Sequence, residues 1–167
     1  MKKMISISAD QVKKLRELTD ASIMECREAL QNSDGDMEKS RLYLRKKGKE
    51  KAQKKAGRET REGIIAAYVH SNKKIGALVE IRCETDFVAK NSEFQELAHD
   101  LAMHVAAMSP KYLTVKDIPK GEKLEEVCLF SQSFIKDPGL TVGDLIKEKI
   151  SKIGENIQVE KFVRFEI

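Results

Sequence analysis

Apolar residues recur with a helical period over about the first 45 residues, then alternate as in strands, become helical again, and alternate once more at the end. Val12, Leu15 and Leu18 fall on one face behind Ser8-Ala9-Asp10-Gln11, a capping box in which the Ser8 hydroxyl and the Gln11 side chain satisfy free amides. A break at "TDAS" leads to a second helix with Ile23, Cys26 or Met24, and Leu30 on its inner side. "NSDGD" is a turn by composition, and Asp36 can cap a third helix through Met37, Leu42, Tyr43 and Leu44. Gly48 suits its C-terminal cap. Residues 1–48 thus read as a three-helix module with a modest core of its own.

From Gly63 the period becomes two. Ile65, Ala67 and Val69 fall on one side of a strand; Ile75, Ala77, Val79, Ile81 and Cys83 fall on one side of the next, and "HSNKK" joins them as a hairpin. Ser92 with Gln95 reads as a second capping box, opening a helix whose Phe94, Leu97, Leu101, Val105 and Met108 share a face. A less regular stretch holds Pro119 and a short amphipathic piece at Leu124, Val127 and Cys128. A "KDPGLT" turn then precedes a helix capped by Thr141 and Asp144, bearing Val142, Leu145, Ile146, Ile150 and Ile153 and stopped by Gly154. The last strand alternates Ile157, Val159, Val163, Phe165 and Ile167 against Gln158, Glu160, Arg164 and Glu166. The expected fold is α+β: the helical module, a connecting helix over residues 49–62, then a three-stranded antiparallel sheet with helices on one face over residues 63–167. Such a sheet has two edges to hide, and pairing with a second copy is one way.

Charge adds a local feature. Residues 45–62 carry nine Lys/Arg against three Glu, so that this segment is +6 while the rest of the chain is −2. With Ala52 and Ala56 as its few apolar residues, the segment reads as an exposed connecting helix ended by Gly63. Its charge leaves room for steering toward an acidic partner or RNA.

At 41% hydrophobic and 35% charged residues, the composition fits a helix-rich globular protein. The longest apolar run, "GIIAAYV", is too short to span a bilayer, and "MKKMISIS" lacks the apolar core of a signal peptide, so the expected location is the cytoplasm. Cys26, Cys83 and Cys128 form no C-x-x-C pair, and His70, His99 and His104 no H-x-x-x-H pair, so neither a disulfide framework nor a metal site is indicated. Phosphate-binding loops and hydrolase elbows are missing, so no direct nucleotide binding is expected. Cys83, flanked by Glu84 and Asp86, reads as a core residue rather than a thiol nucleophile. Nothing points to an enzyme or a cofactor.

The segment "RCETDFVAKN" poses a sharper question, because Phe87 follows an aspartate just where the strand alternation stops. The ring could fold back as a hydrophobic staple on the next helix. Val88 and Ala89 are also available for that packing and lie closer to the cap, which would leave Phe87 as an exposed binding anchor. Both readings are open on the residues alone.

"CETDFVAKNSEFQELAHDLAMHVAA" closely resembles the signature segment of the elongation factor Ts family, guanine-nucleotide exchange factors of the translational GTPase elongation factor Tu. "VKKLRELTDASIMECREAL" is similar to the family's amino-terminal signature, "HSNKKIGALVEI" to its core hairpin, and "KDPGLTVGDLIKEKISKIGEN" with "FVRFEI" to its carboxy-terminal core. The resemblance implies exchange without a covalent step. By that resemblance Thr85, Asp86, Phe87 and Val88 would form the exchange loop, whose ring would wedge between two helices of the GTPase nucleotide domain and displace the elements holding magnesium and diphosphate. It also implies that the helical module is ubiquitin-associated-like and grips the same domain through Arg16, Ile23 and Met24, while His70, Ile153 and Gly154 meet another domain.

Two departures from the family pattern carry expectations. Asp20 stands where glycine is usual after Thr19 and would sit in a left-handed conformation at some cost; Lys73 replaces a common hairpin glycine, so that Asn72 is expected to take the strained position. Longer members have two core halves, whereas this chain has one set of strand signals, and short members dimerise. A symmetric homodimer with each GTPase touching both subunits is therefore expected. The competing reading is an RNA- or ribosome-associated protein acting through residues 45–61.

Overall fold

The computed structural model describes residues 6–167, so part of the reading of "MKKMISIS" lies outside the described residues. Helix α1 spans Ala9–Thr19, α2 Ile23–Asn32 and α3 Met37–Lys55; strands β1 (Glu62–Val69) and β2 (Ile75–Cys83) follow. Then come α4 (Asp86–Ala89), α5 (Ser92–Met108), α6 (Leu124–Val127), β3 (Ser133–Phe134), β4 (Asp137–Thr141), α7 (Val142–Ile153) and β5 (Ile157–Glu166). The main sheet has the order β1-β2-β5, antiparallel throughout, and β3 and β4 form a separate two-stranded ribbon.

The capping box at Ser8 and Gln11 is present, and a second one that periodicity missed joins Ser22 to Glu25 at the start of α2. Leu15, Cys26, Ala29 and Leu30 form a small core, with Val12, Tyr43 and Leu44 packed against it. Ile23, expected on the inner side of α2, is exposed instead, because Cys26, Ala29 and Leu30 fill that side. Asp20 takes the left-handed C-cap of α1 at φ +52°, as its place in the pattern implied.

Gly48 does not end the third helix. α3 runs on to Lys55, and the connecting helix is its second half. A Cβ at Gly48 would come 3.3 Å from the Ser151 hydroxyl of α7, so the missing side chain serves close helix–helix approach rather than a cap. Gly63, read as a helix stop, lies inside β1. Tyr43 and Leu44 contact the small core while Ala52 is buried in the large one, so α3 spans both.

The large core lies between the sheet and α5, whose Phe94, Leu97, Leu101 and Val105 meet Ala77, Val79, Ile81 and Cys83 of β2. Helix α7 contributes Val142, Ile146 and Ile150, and its other side packs on α3. The cap of α5 is Asn91, whose carboxamide oxygen accepts from the Glu93 amide at 2.8 Å; the expected Ser92–Gln95 box does not form, and the Gln95 side chain donates to the Ala89 carbonyl instead. In the hairpin Lys73, not Asn72, has positive φ (+57°), since the Asn72 carboxamide accepts from the Lys74 amide. The "KDPGLT" segment is not a plain turn but includes β4, held against β3.

Two strand faces differ from the alternation as read. In β1, Ile64, Ala66 and Tyr68 pack inward, and Ile65, Ala67 and Val69 face out. In β5 the register shifts: Ile81 pairs Val159 but Glu80 pairs Lys161, leaving Glu160 as an extra residue. A one-residue bulge exchanges the faces beyond it. Ile157 and Val159 are therefore buried, while Phe162 turns inward and Val163, Phe165 and Ile167 are exposed.

Candidate functional site

Phe87 sits on α4, a single helical turn within the segment that connects strand to helix, and is 82% exposed. The Thr85 hydroxyl caps this turn by accepting from the Val88 amide at 3.4 Å. Val88 and Ala89 take the inward positions and pack on the large core, so the staple is supplied by them and the ring is left outside. The Asp86 carboxylate beside it receives the Lys90 ammonium at 2.9 Å, which holds its pKa below the usual carboxylate value.

The loop is short and strapped at its base. One carboxylate oxygen of Glu155 accepts from the amides of Glu84 (3.1 Å) and Thr85 (3.0 Å), and the other accepts from the Thr85 hydroxyl at 2.7 Å. In return the Glu84 carboxylate accepts from the Asn156 amide at 2.6 Å. Buried Asn156 donates its side-chain amide to the carbonyls of Arg58 (2.8 Å) and Ala56 (3.4 Å) in the link from α3 to β1. The Gly154 carbonyl accepts from Lys55 at 2.7 Å. The tripeptide after α7 thus joins the end of α3, the link and the Phe87 loop. Cys83 lies under this junction with its thiol donating to the Thr85 carbonyl; burial first, and the Glu155 charge second, push its pKa up to about 11. At neutral pH it is an inert core thiol.

Other residues singled out in the sequence fall into two places. Met24 and Ile23 are 74% and 58% exposed on the first turn of α2, and Arg16 is exposed on the last turn of α1. Ile153 is half-buried against the core and Gly154 is the left-handed cap of α7 at φ +93°. A single ammonium connects these segments to the loop: Lys152 lies 3.0 Å from Asp20, in the turn before Ile23, and 3.0 Å from Glu93, just after the Phe87 turn. The Asp20 carboxyl is lowered and the Lys152 amine raised by this pairing. His70 lies elsewhere. It follows β1 at the hairpin turn, next to the Tyr68 hydroxyl at 3.3 Å, while the Glu62–Cys83 pair marks the sheet end nearest Phe87. The strand between spans about 25 Å at roughly 3.3 Å per residue.

The basic segment has most of its charge engaged internally. Arg45 pairs with Glu148 (3.1 Å) and Asp144 (3.7 Å), Lys49 with Asp144 (2.8 Å), Lys47 with Glu28 (2.6 Å), Lys51 with Glu25, and Arg58 with Glu84 (3.5 Å). These acids lie on α2, α7 and the Phe87 junction, so the cations fasten α3 to its neighbours.

The outward face of the sheet is charged toward one end, where Glu80 pairs with Arg82 and Lys161, and apolar and uncovered toward the hairpin end. Ala67 pairs Leu78 and Leu78 pairs Val163; Val69 pairs Gly76, which pairs Phe165. Exposed Ile65, Val69, Leu78, Val163 and Phe165 thus form one patch across three strands. Among the described residues no helix is long and apolar enough to cross a membrane, and no cluster of three or more His, Cys, Asp or Glu could hold a metal ion.

Sequence reasoning passed over Glu155, Asn156 and Lys152. Their partners are about 60 to 130 residues away, and nothing in the local pattern indicates them; the one available signal was a carboxylate and an amide directly after a helix-stopping glycine.

Comparison with known proteins bears on this arrangement. A family model described as elongation factor TS matches residues 2–122 and 121–167. The elongation factor Ts of Pseudothermotoga lettingae is 48% identical over 195 aligned positions, covering 98% of this chain and 98% of that protein. Those of Thermosipho melanesiensis (49%, covering 96% of this chain and 98% of that one) and Thermodesulfovibrio yellowstonii (45%, covering 98% and 97%) are similar in extent. The alignments are longer than the chain, so these relatives carry residues without a counterpart here. The two matched segments meet beside the Gly121 turn (φ +107°).

Proposed function

The chain belongs to the elongation factor Ts family of translation elongation factors, and from that premise we propose that it promotes GDP release from the GTPase elongation factor Tu by binding it. Exposed Phe87 on a strapped turn is the observation that carries the reading. Burying an 82% exposed ring of ~150–250 Å² at ~25 cal/mol/Å² yields about 3–5 kcal/mol. In this reading the Phe87 ring enters the nucleotide domain between two helices, and Thr85, Asp86 and Val88 hold the turn that presents it. The binding energy goes into a GTPase conformation that holds magnesium and diphosphate poorly. The factor then binds empty GTPase better than the GDP form, and GDP weakens factor binding by the same ratio. No residue of the chain forms a covalent intermediate, no cofactor takes part, and the chain does not itself hold nucleotide.

Residues 1–48 act in this proposal as a ubiquitin-associated-like grip, with Arg16, Ile23 and Met24 on the nucleotide domain. Residues 49–62 connect it to the core of residues 63–167, where His70, Ile153 and Gly154 meet another domain of the GTPase. His70 lies a strand length from the Phe87 end of the sheet. The working form is a homodimer in the cytoplasm, joined through the apolar outer sheet face rather than through strand edges. Its apolar part runs across all three strands, and a two-fold axis would set that patch against its own copy. In such a dimer each GTPase touches Phe87 of one subunit and His70 of the other. The RNA reading loses its support because Arg45, Lys47, Lys49, Lys51 and Arg58 are paired with carboxylates of the same chain.

The test is titration into cognate elongation factor Tu loaded with fluorescent GDP. Release accelerates with factor concentration, and the factor binds nucleotide-free GTPase more tightly than the GDP form by the ratio in which it weakens GDP. Unchanged release at saturation would refute the proposal.

A further inference from the structure

We propose that Glu155 is a positioning residue for exchange: its carboxylate clamps the base of the Phe87 turn and keeps the ring presented in the orientation that acts on the GTPase. The inference rests on the exchange reading above. Its own evidence is geometric. One side chain, delivered from the far side of the chain by β5's lead-in, accepts three hydrogen bonds at 2.7–3.1 Å from two consecutive residues, Glu84 and Thr85. Those residues are the last before the helical turn that carries Phe87.

Core packing of Val88 and Ala89 and the bonds to the Glu84 carboxylate and the Thr85 carbonyl anchor the junction, but the Glu155 carboxylate is the acceptor for both the Glu84 and Thr85 amides. Without it, two amides and a hydroxyl would be left to water, and α4 has only four residues, too few to persist by its own hydrogen bonds. The reciprocal bond from the Asn156 amide to the Glu84 carboxylate fixes the position from which Glu155 reaches over. Buried Asn156 is itself tied to the α3–β1 link. The clamp is therefore braced on a buried residue rather than on a mobile surface segment.

Ordering of this kind acts on a particular step. Contacts made through Ile23 and Met24 do not depend on Glu155, so the encounter complex forms without it. An unclamped turn presents the ring only part of the time, and the exchange rate falls by that fraction. The loss therefore appears in the saturating rate of GDP release and much less in the half-saturating concentration.

The experiment compares wild type, Phe87→Ala, Glu155→Ala, Glu155→Gln and the double variant in release of fluorescent GDP from cognate elongation factor Tu, with amide hydrogen exchange on each free factor. Glu155→Ala lowers the saturating rate about tenfold, shifts half-saturation less than threefold, and speeds exchange at the Glu84 and Thr85 amides. Glu155→Gln, which keeps one acceptor oxygen, recovers part of the rate. In the Phe87→Ala background Glu155→Ala costs nothing further, because there is no ring left to present. A saturating rate for Glu155→Ala equal to wild type, or the same loss in both backgrounds, overturns the proposal. Should Phe87→Ala itself stimulate like wild type, the exchange reading fails instead, and unchanged exchange at Glu84 and Thr85 would overturn the clamp separately. Thr85→Val removes the hydroxyl bond to Glu155 together with the weaker 3.4 Å cap on the Val88 amide, keeps both amide bonds to the Glu155 carboxylate, and predicts a smaller loss of the same kind, about threefold, if Glu155→Ala does not fold.

Discussion

Replacing Phe165 with aspartate tests the proposed dimer face without touching either core. Phe165 is 64% exposed on β5 beyond the bulge and is absent from the buried clusters. An aromatic side chain of ~150–250 Å² with that exposure offers about 100–160 Å², or roughly 2.5–4 kcal/mol at ~25 cal/mol/Å². In a two-fold interface the residue occurs twice, and a carboxylate in its place must be desolvated twice. Even if association recovers only half of the area term, Phe165→Asp weakens the dimer at least about 100-fold. Sedimentation equilibrium over a wide concentration range measures this directly, with far-UV circular dichroism as the check on folding. The account predicts a wild-type dimer at micromolar concentration and a folded Phe165→Asp monomer. A wild type that stays monomeric at high concentration, or a variant that still dimerises equally well, would refute the assignment of this face.

Three further outcomes follow from the geometry. Buried His104 is held neutral, its pKa lowered by burial despite the bond to Gln132, while its Nδ1 accepts from the Ile135 amide. Its depressed folded pKa contributes stability that is full above the unfolded value of about 6.5 and lost as pH falls toward the folded value, by at most about 1.4 kcal/mol per unit; urea titrations between pH 7.5 and 5.5 should show this slope, and His104→Leu should be less stable but flatter. Lys73→Gly relieves a positive φ in an exposed turn and should raise stability by about 0.5–1 kcal/mol in the same assay. Charge reversal of Lys46 and Lys54, which make none of the ion pairs found among the described residues, should leave GDP release within about twofold of wild type; a large loss would mean that the basic segment itself acts on the GTPase.

Legibility of the fold followed physical locality. Helix starts at Ser8, Asp36 and Thr141 were readable because capping is decided within four residues. The inward face of β2 was readable because a central strand against a helix shows clean alternation. Gly48 misled because a glycine needed for close packing on α7 looks the same in sequence as a C-cap. The face of β5 beyond Glu160 could not be read, since a bulge inserts a residue without changing the alternation in the sequence. The apolar patch assigned to the proposed dimer came from that hidden shift together with β1, whose outer face is as apolar as its inner one. Of the candidate site, the exposure of Phe87 was one of two open readings. It was decided by Val88 and Ala89 filling the inward positions. The Glu155 strap was invisible because it closes across some 70 residues of chain.

The central claim is that one exposed ring drives nucleotide release. Its most direct measurement is the rate of fluorescent GDP dissociation from cognate elongation factor Tu at saturating wild type and Phe87→Ala. Losing about 3–5 kcal/mol of ring burial predicts a fall of at least about 100-fold in stimulated release, with folding stability within about 0.5 kcal/mol of wild type because the ring supports neither core. Release by folded Phe87→Ala at the wild-type rate would contradict the account.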